Sequence, residues 1–152
     1  MKLKIKLVAV VSIFYSISSV AEQPTIVPEH EHAKAHHQQA EGPTKSKGIR
    51  SVTQLGELDL QKEFPTIGQR AMRAREIVIE PGGIVAVHQH DQRPGVAYIL
   101  EGEIYENRSD SDRPLLRKAG DVSFEYSGVI HWWENKSGKT VRALVIDVVT
   151  NK

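Results

Sequence analysis

Between residues 75 and 149 the chain alternates short runs of branched and aromatic residues with clusters of turn formers. The runs are 75–80 (REIVIE), 84–90 (IVAVHQH), 96–103 (VAYILEGE), 121–126 (DVSFEY) and 141–149 (VRALVIDVV). They are separated by Pro81-Gly82-Gly83, Arg93-Pro94-Gly95, residues 109–114, Ala119-Gly120-Asp121 and residues 135–138, which carry the Gly, Pro, Asn and Asp of turns. Strands recurring about every 10–15 residues, with no long helical periodicity between them, predict an all-β sandwich or barrel. Residues 54–63 fit either one helical turn or a further edge strand. The span 51–152 is long enough for one core of two packed sheets, so the expectation is a single small β-barrel or jelly roll.

The N-terminal third has another texture. Lys2, Lys4 and Lys6 precede an apolar run over 7–17, and Ser19-Val20-Ala21 supplies the small-x-small pattern of a signal peptidase site. The apolar run is shorter than the roughly 20 residues of a membrane span. Residues 1–21 are therefore expected to be a signal peptide, with export to the periplasm or medium and no stable membrane anchor after cleavage. Residues 22–50 are rich in Pro, Gln, Ala, Glu and Lys and poor in apolar surface, the composition of a flexible linker. Four of the seven histidines, His30, His32, His36 and His37, lie there. Either they chelate metal weakly or they are solvated linker residues.

Composition narrows the chemistry. Of 152 residues, 39% are hydrophobic and 26% charged, a globular balance. The formal net charge is only +1, and 17 basic and 19 acidic residues remain without the three leader lysines. No nucleic-acid partner is expected from such a balance. With no cysteine, disulfides, Cys-ligated zinc, iron–sulfur clusters, thiol nucleophiles and lipoprotein anchoring are excluded.

The three histidines of the domain are His88, His90 and His131. His-x-His on a strand places both imidazoles on one face. A third from a distant strand would complete a facial set with open positions for water or substrate. Alone, the pair fits a surface or core hydrogen-bonded arrangement as well as a metal site. Its setting is more specific: Gly82-x5-His88-x-His90, then Gly102, followed by Gly120-x5-Tyr126-Ser127-Gly128-x2-His131-x3-Asn135.

These stretches, GGIVAVHQHDQRPGVAYILEG and GDVSFEYSGVIHWWEN, resemble the two motifs of the cupin family, G-x5-H-x-H-x3-4-E-x6-G and G-x5-P-x-G-x2-H-x3-N. The resemblance covers roughly residues 70–150. It implies a cupin jelly-roll barrel with one divalent transition metal (Fe, Mn, Zn, Ni or Cu) held inside by His88, His90 and His131, and it implies a homodimer. Two positions depart from the pattern: Gly95 stands where the family has its glutamate ligand, and Tyr126 replaces a proline. The expected site is thus three neutral histidines, leaving the ion its full charge and favouring an anionic or chelating ligand.

Around the site, Gln92, Arg93, Tyr98 and Trp133 are candidate cavity-lining or substrate-contacting residues. Trp133 shares the face of His131 by strand parity, and Arg93 could clamp a carboxylate. Asp91 or Gln92 could fold back onto the metal. Glu101 and Glu103 read as turn residues, and no catalytic residue is assigned. Two functions fit: a mononuclear metalloenzyme, dioxygenase-like or an isomerase, acting on a small chelating anion, or a non-catalytic periplasmic module that binds metal or a small ligand.

Overall fold

The structure, a computed structural model, describes residues 26–37 and 41–150. A nine-residue helix, α1 (Glu29–His37), precedes eight strands: β1 (Lys47–Asp59), β2 (Arg70–Gln89), β3 (Gly95–Glu101), β4 (Glu103–Arg108), β5 (Leu115–Lys118), β6 (Val122–Glu125), β7 (Ile130–Glu134) and β8 (Val141–Thr150). After β1 comes a helical turn, α2 (Leu60–Glu63), whose Gln61 amide donates to the Asp59 side chain as in an N-cap. Both expectations for residues 54–63 are thus met in succession: strand to Asp59, then one helical turn.

The strands pair in the order β5-β4-β7-β2-β8-β3-β6, with β1 on the other side of β2. The pairs are antiparallel, and the sheet curls into the nearly closed jelly-roll barrel that the motifs imply. Pro81-Gly82-Gly83 does not end a strand. It lies inside the 20-residue β2, at the point where that strand changes partners. Residues up to Ile79 pair with β8, and residues from Ile84 pair with β7. Asn135 fastens this corner: its side-chain amide donates to the carbonyls of Ile79 and Glu80, and its backbone amide donates to Gly83.

The run expected as one strand over 96–103 is divided at Gly102. Its φ of +82° suits glycine, and a Cβ there would stand 2.8 Å from the Thr140 carbonyl oxygen. β3 therefore joins β8 and β6, while β4 joins β7 and β5.

Gly95, the position of the missing glutamate, sits in a cross-strand row running Arg73 (β2), Asp147 (β8), Gly95 (β3), Glu125 (β6). A Cβ on Gly95 would lie 2.7 Å from the Ile146 carbonyl oxygen and 3.0 Å from the Asp147 Cβ. Gly95→Ala should cost about 1–3 kcal/mol by overpacking against backbone, read as a lowered urea midpoint. Gly56→Ala, where a Cβ meets nothing within 4 Å, should cost nothing comparable.

Within the expected linker 22–50, the described residues 26–37 and 41–50 make definite contacts with the barrel. Ile26, Val27 and Ala35 are buried, and Ile26 and Val27 join the core with Ile77, Ile79 and Trp133. Each such side chain contributes about 1.5–3 kcal/mol on burial, which local composition does not register. The Val87 carbonyl lies 2.9 Å from His32 Nδ1, and the Val87 amide donates to the Pro43 carbonyl. This stretch therefore packs along β2 instead of trailing from it. The expected signal peptide, residues 1–21, lies outside the described residues.

Candidate metal centre

Two strands bring the histidines together. His88 lies near the end of β2, His90 just beyond it, and His131 opposite His88 in β7. All three are buried. His90 Nε2 lies 3.0 Å from His131 Nε2, and His131 Nε2 lies 3.1 Å from His88 Nε2.

The other ring nitrogens settle the tautomers. His88 Nδ1 faces the Ala86 carbonyl at 2.8 Å, and His90 Nδ1 faces the Arg93 carbonyl at 3.2 Å. Carbonyl oxygens only accept, so Nδ1 carries the proton in both rings. His131 Nδ1 donates to Glu106 Oε1 at 3.0 Å. Burial, with the charges of its neighbours, pushes His88 well below its ordinary pKa. Burial, His131 and Arg93 push His90 down to about 2.

In these tautomers the three Nε2 atoms are the free ring nitrogens and face one another, an arrangement that suits a cation. Two nitrogens bound at right angles, each about 2.0–2.1 Å from a metal, are about 3 Å apart. The observed spacing matches. Each Nδ1–H is held by an oxygen, the outer support that orients metal-binding imidazoles.

Glu106 is the strongest of these supports. It is fully buried in β4 and accepts from Arg108, Arg117, Ser123 and His131 at 2.6–3.0 Å. Burial alone would raise its carboxyl, but the hydrogen bonds from His131, Ser123 and Arg117 hold it below the ordinary carboxylate range. Strand parity carried no chemical mark that singled it out.

Glu125 in β6 is a second carboxylate missing from the sequence reading. Its Oε2 is 3.5 Å from His90 Nε2, and its Oε1 is 3.8 Å from His131 Nε2. Burial pushes its carboxyl up. The three-histidine cluster thus has a carboxylate at its border. The sign was present in DVSFEY: Ser123 and Glu125 are buried while Val122 and Phe124 are exposed, the reverse of the usual alternation in a half-buried strand.

The remaining cavity at the histidines is about 20 Å³, room for about one water-sized group. Ile26, Arg75, Val85, Arg93, Glu125 and Trp133 line it with the imidazoles. Trp133 meets the His131 ring edge to face at 6.2 Å. Arg93 is buried: it holds Glu31 of α1 in a two-pronged pair and Asp147 at 2.7 Å.

Gln92 and Tyr98 do not reach the histidines. Gln92 is exposed at a turn with φ 61° and lines only an outer cleft beside α1, as does Asp91. Tyr98 is on the outer face of β3, 40% exposed. His30 is exposed and His32 is bonded to β2, so these two do not converge on one ion. The side chains of His36 and His37 lie outside the described residues.

Residues 75–147 match the Cupin_2 family model, a cupin domain, and the nearly closed antiparallel barrel with its interior histidine cluster agrees with that match. The chain is 34% identical over 71 residues to an oxalate-binding protein of Thermotoga maritima, a match spanning 47% of this chain and 57% of that relative's length. The fold is similar to KdgF from Halomonas sp. (14% identity, TM-score 0.51, 76% of this chain and 91% of that one). It is also similar to a Cupin 2 conserved barrel domain protein from Salinispora arenicola (16%, TM-score 0.50, 68% and 80%).

Proposed function

We propose that this chain is an exported, mononuclear metallo-cupin that holds one divalent transition metal on His88, His90 and His131 and takes a small carboxylate or other chelating anion beside it. The observation that carries this reading is the pairing of two unmet demands in one cavity. Three imidazole Nε2 atoms face one another, and two residues of the same lining, Arg75 and Trp133, each hold a buried N–H without an acceptor among the described residues. The first demand suits a cation, the second an anion.

A bound divalent metal would supply Lewis acidity and open positions for a chelating ligand. The chain's own groups do the rest. Glu106 keeps the proton on His131 Nδ1, and Trp133 and Ile26 exclude water. Arg93, with Arg75, offers cationic charge to a carboxylate once Glu31 is displaced. The name of the Thermotoga relative supports a small dicarboxylate as ligand. A homodimer belongs to this reading too, with the exposed Leu55 and Leu58 of β1 as an apolar edge.

The test is elemental analysis of the full chain made without a His tag, beside His88→Ala/His90→Ala/His131→Ala and the size-conserving His90→Asn. About one equivalent of transition metal in the parent, lost in the triple variant and reduced in His90→Asn, is expected. No metal in the parent after reconstitution, or equal metal in all three, would overturn the reading.

A non-catalytic binding role is favoured by one observation: with Ile26 in place the cavity at the histidines admits little more than an ion. Oxygen consumption or product formation dependent on an added chelating anion would decide for turnover.

A further inference from the structure

We propose that Glu125 is the carboxylate ligand of this centre, delivered from β6 because β3 cannot supply one. The inference rests on the metal-binding reading above and concerns which side chain completes it. Gly95 occupies the family's glutamate position, but a Cβ there runs into the Ile146 carbonyl oxygen at 2.7 Å, and that backbone atom cannot step aside. Gly95 is also flanked by carboxylates in its cross-strand row, Asp147 on one side and Glu125 on the other. A glutamate at 95 would set three like charges abreast, which adjacent strands disfavour.

Glu125 is Gly95's direct partner across the β3–β6 ladder. Parity with buried Ser123 turns its side chain into the barrel, and its carboxylate ends beside His90 and His131.

The partners of the three buried barrel carboxylates single it out. Asp147 is saturated by Arg73, Arg75 and Arg93. Glu106 is saturated by three other side chains and His131 Nδ1. Glu125 Oε2 is buried and has no hydrogen-bond partner among the described residues. Its carboxylate lies 3.5 Å from His90 Nε2 and 3.8 Å from His131 Nε2, and Oε2 forms no hydrogen bond with either. A buried carboxylate oxygen without a partner is costly, and a cation placed between it and the three nitrogens removes the cost. The centre would then be three imidazoles and one carboxylate, lowering the ion's net charge from +2 to +1.

Cobalt(II) is a suitable probe because its visible absorption follows its ligand set. The full chain, Glu125→Gln, Glu125→Ala and the triple histidine variant would be titrated with Co(II) against a chromogenic chelator, and their melting measured with and without metal. For Glu125→Gln and Glu125→Ala we expect Co(II) affinity to fall on the order of 10–100-fold or more. Their Co(II) absorption should change, and their metal-free melting temperature should stay the same or rise because an unpaired buried charge has gone.

Parent affinity and an unchanged spectrum in both Glu125 variants would overturn the proposal while leaving the three-histidine reading intact. Absence of Co(II) binding by the parent would overturn both. A metal-free melting temperature that falls by many degrees in both variants would make Glu125 a structural carboxylate and equally overturn it.

Discussion

Asp147→Ala should destabilise the barrel by about 3–5 kcal/mol, the loss typical of removing one partner from a buried ion pair. Asp147 receives Arg73 through two bonds of 2.8 and 3.1 Å, Arg75 at 2.9 Å and Arg93 at 2.7 Å. Arg75 and Arg93 are themselves buried, at 6% and 7% exposure, so they cannot turn to solvent when the carboxylate goes. Arg93 keeps Glu31, whereas Arg75 keeps only the Ile26 carbonyl. Adding Arg75→Met to Asp147→Ala should therefore restore part of the loss. A urea-unfolding difference below about 1 kcal/mol, or no recovery in the double variant, would contradict this account of the cluster.

The same group sets an acid limit. Burial alone would raise the Asp147 carboxyl, but the Arg73 hydrogen bond and the charges of Arg75, Arg73 and Arg93 outweigh it and hold it below its ordinary value. A depressed folded-state value means stability present above the unfolded value, about 3.9, and lost as pH falls toward the folded one. The gap between parent and Asp147→Asn should be full at neutral pH and narrow below about pH 4, as checked by unfolding at a series of pH values.

Glu106→Gln is expected to weaken metal binding by about 10–100-fold, the usual effect of removing an orienting partner of a metal-bound imidazole. It should also lower stability. All four groups around the carboxylate donate to it, so one end of the amide must place N–H against N–H, at a cost of about 1–3 kcal/mol. Arg108 retains Asp110 through two bonds of 2.8 and 2.9 Å, which limits the loss on that side. Competition titration with a chelator reports the first effect and thermal melting the second. Metal affinity within twofold of the parent would show that His131 needs no such support.

Much of the barrel is written in local alternation, and its histidines in their spacing. His88 and His90 sit two residues apart, and His131 falls opposite His88, as a pair of separated motifs implies. What escaped was decided by distant partners. Pro81-Gly82-Gly83 has turn composition, yet β2 runs through it because Asn135, more than fifty residues later, bonds the backbone around it. Glu106, Glu125 and Asp147 occupy inward positions in segments whose apolar residues looked like the core. For Glu106 and Asp147 burial is tolerable only because arginines and an imidazole are brought to them from elsewhere in the fold. Helix α1 was illegible for the same reason: its residues are polar, and its order comes from the barrel surface beneath it.

That last dependence has a dynamic consequence. An isolated helix shorter than about 12–15 residues is marginal in water, and α1 has nine. Detached from Arg93 and β2, it has no reason to remain helical, so docking on the barrel and helix formation are one equilibrium, and Ile26, the cavity-lining residue just before the helix, shares its tether. Amide exchange across 29–37 would report how often that segment leaves the barrel, residue by residue and with no ligand present.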